Sequence, residues 1–211
     1  DLTLLIERVV KPKPPPPYIV LAHSMGGHVA LRYLGSVPET FVCAAVTAPM
    51  LSIKVPPALR AVAGAIAASA VHTRRAGEYV PGGKARDPTA FTFETNPTTS
   101  DPVRFARGVS PLKANDALRV GGPTYGWFHA AAKSMRMLTR PAFAKTIRCP
   151  LLLVAAGRDV FVEAGPDIDF TRRVADGNYL LIGQAKHEIL MERDPLRNIF
   201  WAAFDAFMKV L

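Results

Sequence analysis

Unbroken apolar runs lie near both ends of this chain, and between them apolar residues fall at helical spacing. Residues 1–10 read as a helix with Leu2, Leu5, Ile6 and Val9 on one face. The run KPKPPPP (11–17) ends it, because consecutive prolines hold an extended segment. Residues 18–21 then predict a strand, 22–26 a tight turn, and Gly27 onward a helix that breaks at 35–38. A second buried strand is predicted over 41–46, ending at Thr47-Ala48-Pro49. From 50 to 146 the strand-like runs vanish. An alanine-rich helix follows Pro56-Pro57, a second follows the N-cap and first-turn proline of Asp101-Pro102, and a third covers 124–138. The Gly-, Pro- and Thr-rich stretch 72–100 reads as a long loop.

Strand texture returns at 151–155, whose unbroken apolar run predicts burial on both faces. A helix over 166–174, a cap or turn at Gly177, a strand over 179–182 and a loop over 184–188 follow. The chain closes on an amphipathic helix over 195–210, with Ile199, Phe200, Ala203, Phe204, Phe207 and Met208 on one face. Strand, helix, strand on either side of a helical stretch predicts an α/β fold: a mostly parallel sheet with helices on both faces and a helical insertion. The expected division is core at 1–49, insertion at 50–146 and core again at 147–211. No internal repeat is present.

Composition adds bounds. With 211 residues, 49% of them hydrophobic, the chain can bury one sizeable core. The formal charge of +9 comes from 26 basic and 17 acidic residues, scattered with no dense basic run. That argues against a nucleic-acid partner and leaves contact with an anionic membrane surface open. No apolar run reaches the ~18 residues of a transmembrane span. Two cysteines, Cys43 and Cys149, lie in or beside apolar strands and read as free thiols in a reducing, cytoplasmic setting. The chain opens at Asp1, already in a helix, which suggests a start partway through a larger protein.

The candidate chemistry lies at strand ends. Open parallel sheets place ligands at the carboxyl ends of their strands. Three such ends carry Ser24, Asp159 and His187, in the order serine, acid, histidine. Ala-His-Ser-Met-Gly (22–26) is one substitution from the G-x-S-x-G nucleophile elbow, with Ala22 and Gly26 small where strand and helix nearly touch. A serine hydroxyl needs a base within hydrogen-bond reach, here His187, and an acid to orient that base, here Asp159. Each has a plainer reading: Ser24 as a helix N-cap, Asp159 as a turn residue with Asp167 and Asp169 as rivals, His187 as the start of the closing helix. Of the other histidines, His23 beside the serine packs; His28, His72 and His129 lie on other elements. No metal-ligand spacing, phosphate loop or dinucleotide fingerprint is present, so neither metal nor cofactor is expected.

AHSMGGHVALRYL around Ser24, SIKVPP from Ser52, GGPTYGW from Gly121, CPLLLVAAGRD ending at Asp159 and KHEILMERDPLRNIFWAAFDAF from Lys186 together resemble the α/β-hydrolase superfamily. The nearest resemblance is to its lysophospholipase and monoacylglycerol-lipase-like branch. It implies a serine hydrolase that cleaves carboxylic esters of monoacyl lipids through an acyl-enzyme, with residues 50–146 as a cap over the acyl site. The alternatives are a small-ester esterase, an acyltransferase or peptidase on the same fold, or a non-catalytic binding protein. The resemblance also makes the Met25 backbone N–H one oxyanion-hole donor and places the other in a loop among further strands expected upstream of Asp1. This chain alone is therefore expected to be poorly soluble or weakly active. Ala22 stands where such families usually have glycine.

Overall fold

A computed structural model of the chain describes residues 1–12, 16–83 and 92–209. The middle of the proline run (13–15), part of the 72–100 loop (84–91) and the last two residues (210–211), where the closing helix is expected to finish, lie outside that description.

Four strands, β1 (Ile19–His23), β2 (Cys43–Thr47), β3 (Leu151–Ala156) and β4 (Gly177–Ile182), form one parallel sheet in that order. Their register brings the carboxyl ends together: His23 pairs with Thr47, Thr47 with Val154, and Ala156 with Ile182. Every residue of β2 and β3 is buried, which is why those two read as unbroken apolar runs. β1 and β4 are the outer strands and are only partly covered.

Helix α1 (Leu2–Leu5) runs into wider π-helical turns over Ile6–Val10, closed by Lys11 N–H to the Ile6 carbonyl. Of the predicted face only Ile6 is buried; Leu5 and Val9 are exposed. The wider turns offset the later side chains from the 3.6-residue stripe the prediction assumed. α2 (Ser24–Ser36) crosses from β1 to β2, and α7 (Ala164–Thr171) from β3 to β4. Leu31, Leu34 and Phe170 from these helices pack on Ala44, Val46, Leu151 and Leu153. On the opposite sheet face α8 (Asp194–Met208) buries Phe200 and Phe207 against Cys43, Ala45, Leu152 and Val154. Ile199, expected on that buried face, is exposed. Helices on both faces of a parallel sheet make this an α/β fold.

Between β2 and β3 the chain forms α3 (Pro57–His72), α4 (Pro102–Ala114), α5 (Tyr125–Leu138) and α6 (Pro141–Ala144). Asp101 caps α4 by accepting from the Arg104 amide at 2.9 Å, and Thr124 caps α5 by accepting from the Trp127 amide. α3 packs on α5, and α5 lies over the carboxyl ends of the strands through Ala131 against Ala48 and Met50. The two cysteines are buried and free, and burial pushes the Cys149 thiol up to about 11. No helix of the described residues is long and apolar enough to cross a membrane.

Candidate active site

Strand β1 passes into α2 with no intervening turn: His23 is the last strand residue and Ser24 the first of the helix. The predicted turn over 22–26 and the helix start at Gly27 are corrected accordingly. The whole reversal falls on Ser24, whose backbone has φ 51, left-handed and strained for a residue with a Cβ. The close approach at the start of the helix is at Gly27, where an added Cβ would meet the Pro49 Cβ, just beyond β2, at 3.2 Å, and not at Gly26, where it would meet nothing within 4 Å.

The structure brings the three strand-end residues into one hydrogen-bonded chain. Ser24 Oγ lies 2.9 Å from His187 Nε2, and His187 Nδ1 lies 2.6 Å from Asp159 Oδ2. Because the carboxylate accepts, Nδ1 carries the imidazole proton and Nε2 is left to accept from the serine hydroxyl. The other oxygen of Asp159 accepts from the amides of Phe161 (2.7 Å) and Val162 (3.1 Å). Burial alone would push the Asp159 carboxyl up. The hydrogen bonds from His187 and the two amides, with the charge of His187, outweigh burial and hold it below the usual carboxylate range. The imidazole is further fixed by edge contacts with Phe161 (centroids 5.0 Å) and His23 (4.8 Å).

The rival acids are placed elsewhere. Asp167 is buried on α7 with neither carboxyl oxygen hydrogen-bonded, and burial together with the Asp159 charge pushes it up to about 8. Asp169 lines a separate cavity. The Met25 amide is in the first turn of α2, where a helix offers no carbonyl, beside the Ser24 hydroxyl. Among the described residues no group of three or more His, Cys, Asp or Glu is placed to hold a metal ion.

Several supporting contacts gave no signal in the sequence. Lys54 Nζ donates to the Asp159 carbonyl, Lys54 N–H to the Phe161 carbonyl, and Ser52 Oγ to Glu163, so segment 52–54 is stitched to the acid's loop. His23 Nδ1 meets the Thr47 carbonyl and hydroxyl, while its Nε2 stands 3.4 Å from Glu188, whose carboxyl that histidine holds low. His28, given no role by its position in the sequence, is buried under α5. Its spacing of four from Ser24, one helical turn, is the one clue that could have picked it out. A cavity of about 510 Å³ opens between segment 51–55, α3, α5 and α7, lined by Leu51, Ile53, Phe128, Met135 and Phe170 with Arg136 and Arg173. It does not include Ser24 but begins at Leu51, next to Met50, whose amide donates to the Ser24 carbonyl at 3.0 Å.

A serine at a strained strand–helix junction, hydrogen-bonded to a histidine that meets a buried carboxylate at one edge of a parallel sheet, is the arrangement characteristic of the α/β-hydrolase class. Within that class, the sequence profile of the serine aminopeptidase S33 family (Hydrolase_4) matches residues 1–194, and the chain belongs to this family. Lysophospholipase L2 of Escherichia coli K12 is 29% identical over 207 residues, covering 94% of this chain and 59% of the relative. Probable lysophospholipase L2 of Haemophilus influenzae is 25% identical over 210 residues, covering 100% of this chain and 65% of that one. The chain thus spans about three-fifths of the length of the curated relatives it matches. Among solved structures, a soluble variant of monoglyceride lipase from Saccharomyces cerevisiae in complex with a substrate analog superposes with TM-score 0.70 at 17% identity, covering 99% of this chain and 67% of that one. Monoacylglycerol lipase from Paleococcus ferrophilus gives 0.64 at 17% identity, covering 99% and 72%.

Proposed function

We propose that this chain carries the site of a serine ester hydrolase acting on lipids with a single acyl chain, lysophospholipids or monoacylglycerols. The observation that carries the reading is the continuous hydrogen-bonded chain from Ser24 through His187 to Asp159. Ser24 Oγ attacks the ester carbonyl carbon as His187 Nε2 takes its proton. The oxygen that becomes anionic is met by the Met25 amide, and Asp159 stabilises the imidazolium. Collapse expels the alcohol, protonated by His187, and leaves an acyl ester on Ser24. Water, deprotonated by His187, attacks that ester and releases the fatty acid, returning the proton to Ser24.

Residues 50–146 act in this reading as a cap. The apolar cavity beneath α5, with Arg136 and Arg173 among its lining residues, suits an acyl chain beside an anionic headgroup. The curated lysophospholipase relatives support the lipid substrate, and the formal charge of +9 supports peripheral contact with an anionic membrane surface. Two buried free thiols support residence in a reducing compartment. Peptide hydrolysis is the second reading, favoured by the family's description as serine aminopeptidases.

The test is labelling by a fluorophosphonate probe, followed by turnover of lysophospholipids, monoacylglycerols and amino-acid arylamides. Labelling that disappears in Ser24→Ala, with lipid esters cleaved in preference, is expected. An unlabelled full-length version carrying an intact Ser24 would overturn the enzyme reading, and preferential arylamide cleavage would overturn the substrate.

A further inference from the structure

We propose that His28 is a positioning residue, tying cap helix α5 to the nucleophile turn and so setting which acyl chains the cavity accepts. The proposal rests on the ester-hydrolase reading for its functional consequence and on four hydrogen-bonded groups for its geometry. His28 Nδ1 is 2.7 Å from the Met50 carbonyl, and Nε2 is 2.6 Å from Ser134 Oγ. A carbonyl can only accept, so Nδ1 carries the proton and Nε2 of the neutral ring must accept. Ser134 therefore donates its hydroxyl proton to His28, and its oxygen accepts from Arg32 Nη1 at 3.1 Å. The direction of the whole chain is fixed: Arg32 to Ser134, Ser134 to His28, His28 to Met50.

Both ends of this chain matter to the site. The Met50 amide donates to the Ser24 carbonyl and the Met50 carbonyl accepts from His28, so the two peptide units flanking one Cα are held, one by the nucleophile's own backbone and the other by His28. Ser134 sits on α5 between Ala131, which packs toward Ala48 and Met50, and Met135 and Arg136, which line the cavity. The face of α5 fastened to α2 thus adjoins the face that walls the cavity, and any slip of the fastening shifts that wall. His28 is also 96% shielded from water, so an unmade bond there has no solvent to replace it. Burial first, and the Arg32 charge after it, lowers the His28 pKa against the raising effect of the Met50 bond, which keeps the ring in the accepting state the geometry requires.

Such a tie predicts a loss that depends on chain length. His28→Ala should lower kcat/KM for dodecanoyl and longer monoacylglycerols about tenfold, roughly the worth of one buried hydrogen bond, while acetyl and butyryl esters fall less than about threefold. Ser134→Ala should act in the same direction, and the double variant should be no worse than His28→Ala alone. His28→Gln, whose amide can both donate and accept, should restore part of the long-chain rate. Equal losses for short and long chains, or additive losses in the double variant, would overturn the proposal.

Amide hydrogen exchange keeps this separable from the ester reading. In His28→Ala and in Ser134→Ala alike, α5 amides should exchange faster while those of β2 and β3 do not, whether or not any ester is cleaved. Unchanged exchange in α5 would defeat the tie even in an active enzyme. Should His28→Ala fail to fold, Ser134→Ala and Arg32→Ala carry the same test from the other partners.

Discussion

The β1 end of the sheet and the β3–β4 end each deliver residues to one site, yet they hold them in different ways. β3 is buried throughout, and the loops leaving β3 and β4 press together so closely that a Cβ on Gly157 would lie 2.3 Å from the Gly183 carbonyl oxygen. β1 pairs on one side only among the described residues, leaves Ile19 and Leu21 about two-fifths exposed, and has open space beside Gly26. Asp159 and His187 are therefore placed by packing that tolerates no addition. Ser24 is placed by its own backbone, by the close approach of Gly27 to Pro49, by a bond from the Met50 amide and by its own bond to His187 Nε2. In this chain the proposed site thus pairs a closely packed acid–base half with a nucleophile half set more by local geometry.

The sharpest way to break this contrast is Gly157→Ala. The new Cβ collides with backbone, so the loop carrying Asp159 must move, and we expect a loss of about 3 kcal/mol or more with at least a hundredfold fall in fluorophosphonate labelling rate. Urea midpoints and labelling kinetics check it; wild-type values for both would show that the acid side is not rigid. Next comes a pair on the two ends of the sheet. Leu153→Ala in β3 should cost about 3 kcal/mol, whereas Leu21→Ala in β1 should cost less than about 1. Equal costs in urea denaturation would erase the difference between the ends.

Dense packing at the acid end has a liability of its own. Asp167 lies there without a hydrogen-bond partner, its pKa raised to about 8. A carboxyl raised in the folded state binds its proton there after the unfolded chain has released its own. Its stabilising contribution is complete below the unfolded value near ~4 and is lost as pH rises toward about 8. The wild type should lose stability over that window by up to about 1.4 kcal/mol per pH unit relative to Asp167→Asn. Denaturation midpoints at pH 5, 6, 7 and 8 measure it, and parallel profiles would refute it. The smallest effect is expected at Gly26→Ala, where the helix gains propensity and nothing is struck. Stability should change by less than about 1 kcal/mol and labelling should persist. A large loss would mean that the nucleophile end is as tightly packed as the other.

Much of this fold was legible because buried parallel strands leave unbroken apolar runs, as at 43–47 and 151–156. The strand-end residues Ser24, Asp159 and His187 could be picked out because chemistry in such sheets gathers at one edge, and the structure does place them within hydrogen-bond distance. What escaped depended on contacts between distant segments. Asp167 and Asp159 are both turn-proximal acids in the sequence, and only burial and hydrogen bonding tell them apart. The partner of His28 stands 106 positions away, out of reach of any local pattern. Gly177 read as a cap or turn because glycine often is one. It opens β4 instead, where a Cβ would strike the Thr171 carbonyl oxygen at 2.2 Å. The N-terminal helix is present, but its predicted apolar face did not hold, because hydrophobic spacing assumes a constant turn and residues 6–10 do not keep it.

The left-handed backbone at Ser24 bears on how this sequence can drift. Glycine adopts that conformation without penalty, so Ser24→Gly would abolish the hydroxyl and leave the chain as stable as before, or more so. Folding thus exerts no pull to keep the serine, and quality control in the cell would not detect its loss. In the proposed reading, the position that does the chemistry is one the rest of the molecule would fold as well without, and only the reaction itself can hold it in place.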